Sequence, residues 1–217
     1  SPTSGPATGG TSVTITGTNF SGATSVSFGS NSVASGSFTS SSSTQIVVPS
    51  PSGSAGTVHV TVTTPIGTSA TGSSDQFTYI AAPTITGISP SSGSTGGATS
   101  VTISGTNLSG VTSVTVGGAS ATLGTNTSTS IVITTPSGTA GARDVVVTTA
   151  GGSATATGGF TYVAPPSIGS ISPGFGPATG GTSVTISGTN LSGVTSVTVG
   201  GASATLGTNT STSIIIT

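Results

Sequence analysis

Apolar residues in this chain come in short alternating runs. In SVTIS (100–104), Val and Ile take every second place and Ser or Thr the rest, the same period of two returns in SVTV (113–116) and FTY (160–162), and in SIVIT (130–134) and VVVTT (145–149) a third apolar residue fills the place between. A period of two places successive side chains on opposite faces of a strand, so each run has one apolar face and one that carries hydroxyls. Gly, Pro, Asn and Ser stand between the runs, as tight turns require. From Pro83 onward seven runs can be read, TITGIS, SVTISG, VTSVTVG, ASATLG, STSIVIT, ARDVVVTT and SATATGGFTYV, within about eighty residues, and this density predicts an all-β, two-sheet antiparallel sandwich. Val101, Ile103, Val114, Val116, Ile131, Ile133, Val145 and Val147 are expected to face inward, and Thr102, Thr115 and Thr134 outward. No stretch carries a period of 3.6, so essentially no helix is expected.

The pattern is also repeated on a larger scale. The segment TSVTISGTNLSGVTSVTVGGASATLGTNTSTSI occupies 99–131 and returns letter for letter at 182–214. TYI (78–80) comes back as TYV (161–163), and the Ser-Pro of residues 1–2 recurs at 89–90 and 172–173. These landmarks divide the chain into units at 1–82, 83–164 and 165–217. The first carries extra residues between Gly29 and Ile46, which a loop would absorb at small cost. It also lacks the strand that opens the other two, and the third stops at Thr217 after its fifth strand. The chain therefore reads as a segment of a longer array, the missing strands being supplied by more of the same polypeptide or by a neighbour, with any targeting signal outside it.

In the second unit the order P-x-I-x-x-I-S-P (83–90), G-x-x-x-G (93–97), S-V-T-I-x-G-T-N-L-x-G-x-T-S-V (100–114) and F-T-Y (160–162) resembles the IPT/TIG family of immunoglobulin-like domains, and the resemblance covers nearly the whole chain. It implies tandem immunoglobulin-like β-sandwiches of the early-set type. It does not assign an activity, because such domains occur in bacterial surface proteins, receptor ectodomains, transcription factors and polysaccharide-degrading enzymes.

Composition narrows the field. The chain holds 43 Ser, 47 Thr, 36 Gly and no Cys, and its only charged side chains are Asp75, Arg143 and Asp144. Without a basic patch to neutralise phosphate, nucleic acid is not an expected partner. No apolar run is long enough to enter a membrane. Catalysis needs a nucleophile with a base, paired carboxylates or metal ligands, and the chain offers one histidine, His59, between core-facing Val58 and Val60. Asp75 and Asp144 do not recur from unit to unit, so no metal or cofactor site is expected, and the chain reads as no enzyme. Asn19, Asn107 and Asn190 (in N-F-S and N-L-S) and Asn126 and Asn209 (in N-T-S) are formal N-glycosylation acceptors, and each is equally an ordinary turn asparagine. The surface hydroxyls are strand filler or carriers of O-linked sugar, which keeps a surface glycan among the expected partners. Phe77, Tyr79, Phe160 and Tyr162 alternate with Thr in F-T-Y, which places them in the core rather than on an exposed sugar platform.

The junctions YIAAPTI and YVAPPSI leave two or three residues between strands, with Pro83, Pro165 and Pro166 restricting the backbone, and so predict a rod. Sheet edges usually carry charges that prevent pairing with other molecules, and these have almost none, so self-association is the expected partnership. Together these readings describe a non-enzymatic extracellular structural protein, a stalk or a self-associating filament or adhesin on a bacterial cell surface. The alternative is a set of accessory domains in a secreted polysaccharide-degrading enzyme.

Overall fold

Val101 and Ile103 on one sheet, and Val145 and Val147 on another, close over a common apolar layer that also takes in Leu108, Phe160 and Tyr162. The structure is a computed structural model describing residues 1–217. In the second unit one sheet runs in the order Thr84–Ser89, Ser100–Thr106, Ser130–Thr134, Thr122–Asn126. The facing sheet runs Ser92–Ser94, Gly152–Val163, Gly141–Thr149, Ser113–Val116, Ala119–Ser120. Pairing is antiparallel except where Ser92–Ser94 lies parallel to the end of Gly152–Val163. This is an immunoglobulin-like sandwich, and the eight positions expected inside are all buried. Thr102 and Thr115 are half-buried on the outer faces, and Thr134 is exposed.

Two details exceed the sequence reading. The run SGS at 92–94, which reads as a turn, is a short strand because the chain crosses there from one sheet to the other. ASATLG is two strands: Ala119–Ser120 pairs with Ser113–Val116, and Thr122–Asn126 joins the opposite sheet. Helix is confined to two single 3₁₀ turns in the first unit, Ser35–Ser37 and Ser73–Asp75. The extra residues of that unit do more than lengthen a loop. The strand Asn31–Ala34, counterpart of Ala119–Ser120, is longer than it, and the inserted stretch brings Phe38 against the core.

The turn between Ser130–Thr134 and Gly141–Thr149 is pinned from inside. Tyr162 Oη donates to the Pro136 carbonyl at 2.6 Å, and its ring leaves no room beside Gly138, where a Cβ would stand 2.4 Å from the ring. Tyr79 repeats this with Pro51 at 2.8 Å and with Gly53. A buried hydroxyl adds a second pin: Thr135 Oγ1 accepts the Thr99 N–H, and Ser50 Oγ accepts the Thr11 N–H, each at 3.1 Å. No buried side-chain polar atom is left without a partner.

The repeated segment shows what the facing sheet contributes. Val116 is 2% exposed on the strand that pairs with the hairpin Gly141–Val163, whereas Val199, the same residue of the repeat, is 64% exposed. The third unit keeps the four-stranded sheet Ser167–Ser172, Val184–Thr189, Ser213–Ile216, Leu206–Asn209, and opposite it only the hairpin Thr198–Val199 and Ala202–Ser203.

Two expectations follow. Tyr162→Phe removes one part-buried hydrogen bond and should destabilise the second unit by about 1 kcal/mol, while Gly138→Ala, which collides with the ring, should cost more; thermal denaturation measures both. A chain extended after Thr217 by a copy of residues 135–163 should bury Ile168, Ile171 and Val199, and would show it as a loss of apolar-dye fluorescence.

Candidate functional surface

The ionisable side chains are so few that each can be placed in turn. His59 lies on Gly56–Thr64 opposite Gln76, with Val58 and Val60 turned to the core and the imidazole half exposed. Its Nδ1 meets Asp75 Oδ1 at 2.5 Å. Asp75 closes the turn Ser73–Asp75, and its other oxygen accepts the Gly72 N–H at 2.7 Å. The hydrogen bond from His59, reinforced by Gly72 and by attraction to the imidazole, holds the Asp75 carboxyl below the usual carboxylate range.

Asp144 occupies the place in the second unit that His59 has in the first, since Val58 pairs with Phe77 and Arg143 with Phe160. It faces no imidazole. Its Oδ1 accepts the Gly158 N–H at 2.8 Å beside an irregularity in the strand pair. Arg143 turns to its own loop, donating to the Thr139 carbonyl at 3.2 Å, to Thr139 Oγ1, and to the Ala140 carbonyl at 3.1 Å. Each charged group thus ties down local backbone. No three His, Cys, Asp or Glu side chains come together.

The asparagines fall into two sets. Asn19, Asn107 and Asn190 sit in the left-handed region at φ of 60°, 55° and 55°, where Asn is among the few residues tolerated. Asn107 Nδ2 donates to the Ala82 carbonyl at 3.0 Å, and Asn190 Nδ2 to that of Pro165 at 3.2 Å. Asn126 and Asn209 end the strand that borders the sheet and donate to the carbonyls of Leu108 and Val194, at 3.1 and 3.2 Å. In these four, the nitrogen that would bear an N-linked sugar already holds a backbone carbonyl. Nothing in the sequence signalled those partners, which lie well away along the chain.

The aromatic rings are mostly internal. Phe77 meets Phe28 and Tyr79 edge to face at centroid distances of 5.2 and 5.1 Å, and Phe160 meets Tyr162 at 5.1 Å. Burial raises both tyrosine hydroxyls above their ordinary pKa. Phe175 is 89% exposed.

What the surface does offer is broad, uncharged sheet. Across the second unit lie the rows Ser120–Thr115–Val146–Thr155 and Ser113–Thr148–Ser153, and across the first Ser32–Ser27–Thr61 and Ala34–Ser25–Thr63–Thr68. Neighbouring hydroxyls bond to one another, as Thr148 does to Ser153 and Thr63 to Thr68, both at 3.0 Å. The edges are blunted without charge: Thr84–Ser89 is irregular between Ile85 and Gly87, Thr122–Asn126 between Leu123 and Asn126, and Ala119–Ser120 is very short. Charge-free edges were expected to invite pairing, and these irregularities work against it. The uncharged area available for contact is therefore the sheet faces.

The IPT/TIG domain model matches residues 1–79, 83–162 and 166–217. No curated protein matches the chain. Among solved structures, the extracellular region of plexin A4, domains 1 to 10, is similar at 25% identity over 99% of this chain and 20% of that one, with a TM-score of 0.45. SGBP-B from a xyloglucan utilization locus of Bacteroides uniformis is 23% identical over 86% of this chain and 59% of that one, at a TM-score of 0.35. The surface glycan-binding protein PbSGBP-B of Prevotella bryantii is 18% identical over 71% of this chain and 37% of that one, at 0.34. The chain spans less than two thirds of each of these proteins.

One pH dependence follows from the His59–Asp75 pair. Because the folded Asp75 has a lowered pKa, its contribution is complete above the ordinary carboxylate value of about 4 and is lost as pH falls below that, through its own lowered value. The Gly72 amide resonance should report this loosening, and Asp75→Asn should abolish the titration.

Proposed function

This chain belongs to the IPT/TIG domain family, with three matching stretches in succession, and we propose that it is a non-enzymatic, extracellular structural segment: part of a stalk or filament on a bacterial cell surface. Spacing is its work. The observation that carries this reading is the run of uncharged hydroxyl rows over sandwiches joined by only three residues, 81–83 and 164–166. Linkers this short and proline-bearing limit bending and favour a rod. The faces are hydrophilic without being charged, so they can lie against a copy of themselves with little electrostatic repulsion. The one imidazole in the chain, His59, meets only Asp75 and has no Ser or Thr hydroxyl as a hydrogen-bond partner, so none of the ninety hydroxyls has a neighbouring base to activate it.

Electron microscopy of native material taken from the cell surface tests the proposal. Thin rods or fibres with an axial repeat near the length of one sandwich, ~35–40 Å from the strand rise, are the expected result. Finding the chain in the medium, attached to a catalytic body that cuts polysaccharide, would overturn it in favour of accessory domains.

A further inference from the structure

Between the first and second sandwiches the chain runs from Ile80 to Thr84, and two loops of the second unit meet it there. From one side Asn107 Nδ2 donates to the Ala82 carbonyl at 3.0 Å. From the other, the turn that follows Gly141–Thr149 brings buried Gly151 so close that a Cβ would stand 2.0 Å from the Ala81 oxygen and 3.0 Å from Ile80 Cγ2. Only glycine permits that approach.

Both loops are also held by contacts within the second unit. Leu108, next to Asn107, is fully buried; its N–H bonds to the Ser128 carbonyl at 3.0 Å, and its own carbonyl accepts from Asn126. Thr149 Oγ1 accepts the Gly151 N–H at 3.2 Å. The adjoining strand extends the grip. Thr106 Oγ1 meets Thr84 Oγ1 at 2.8 Å, and a Cβ on Gly105 would lie 1.8 Å from the Thr84 oxygen. Gly-Thr-Asn thus reads as glycine for close approach, threonine for a hydroxyl pair and asparagine for a carbonyl. At the next junction Gly188, Thr189 and Asn190 do the same to Ser167 and Pro165.

We propose that this end of each sandwich is an interaction surface for the extended, Ala- and Pro-containing segment that leaves the last strand of the preceding unit, with Asn107 and Gly151 as its recognition residues in the second unit. A docked linker turns a tether into a fixed joint. The proposal deepens the stalk reading and rests on it only for the use made of a fixed joint. A sugar on Asn107 would compete with the linker for the same nitrogen.

The test uses the whole chain and an elastase, which cuts after small residues such as Ala81. When closing is fast, cleavage follows the population in which the linker has left the surface. Asn107→Gly keeps the positive φ free of strain and deletes only the amide, so cleavage at Ala81 should rise about fivefold, as the loss of one hydrogen bond implies, with no change in the melting temperature of the second unit. Gly151→Ala, which pushes the linker outward, should also raise it. Asn19→Gly is the matched control: Asn19 has the same backbone conformation but borders an open cleft with Phe20 and Ile66, and cleavage there should match the unsubstituted chain. An unchanged rate in Asn107→Gly, an equal rise in Asn19→Gly, or a parallel rise at sites within 84–163 would overturn the proposal. None of these results bears on the microscopy, so the joint and the stalk can fail separately.

Discussion

Two sheets of about four strands each remain face to face only while the apolar layer between them stays closed, and everything else in this protein is arranged around that requirement. There is no disulfide, and the contact between His59 and Asp75 lies at the surface. The layer itself is built from Val, Ile, Leu and a few rings, each contributing about 1.5–3 kcal/mol on full burial. The tyrosine of F-T-Y serves this layer twice. Its ring fills the corner beside Gly138 or Gly53, and its hydroxyl donates to a part-buried carbonyl of the same corner.

Charge is almost absent from the outer faces, and geometry takes over its usual duties. Hydroxyl pairs between strands replace ion pairs, irregular pairing at the borders replaces lysine, Asp144 accepts one backbone N–H, and Asp75 accepts another beside His59. Such a surface responds weakly to salt, because few of its contacts are ionic.

The period of two was enough to find the core: Val101 through Val147 lie where alternation put them, and Phe160 and Tyr162 share the inner face as F-T-Y implies. What escaped the sequence depended on partners distant along the chain. Ser92–Ser94 is a strand only because Thr161–Val163 lies beside it, and SGS has no apolar alternation of its own. ASATLG divides at Ala121 because the chain changes sheets there, which alternation cannot register. Asn107 looked like a turn residue or a sugar acceptor, and it is a turn residue, but its amide goes to a carbonyl 25 positions away. His59 stands between core-facing Val58 and Val60 and its imidazole is half exposed, as alternation implies, yet its contact with Asp75 in the turn before the neighbouring strand carries no local signal.

The identity of 99–131 with 182–214 also bears on how the chain finds its fold. The hairpin Gly141–Val163 stands between two copies of the same strands, and nothing within those thirty-three residues tells it which copy to cover. Covering the later copy would give a circularly permuted sandwich with the same inner layer and would leave the earlier strands open. Loop-closure entropy changes slowly with length, so the connections 135–140 and 164–183 discriminate only weakly between the two. The choice falls to what differs: Thr84–Ser89 against Ser167–Ser172, and the short strand Ser92–Ser94, which pairs with the end of the hairpin where the later copy has Phe175. A tandem array this uniform therefore relies on its least repetitive strands to keep neighbouring units from exchanging parts while they fold.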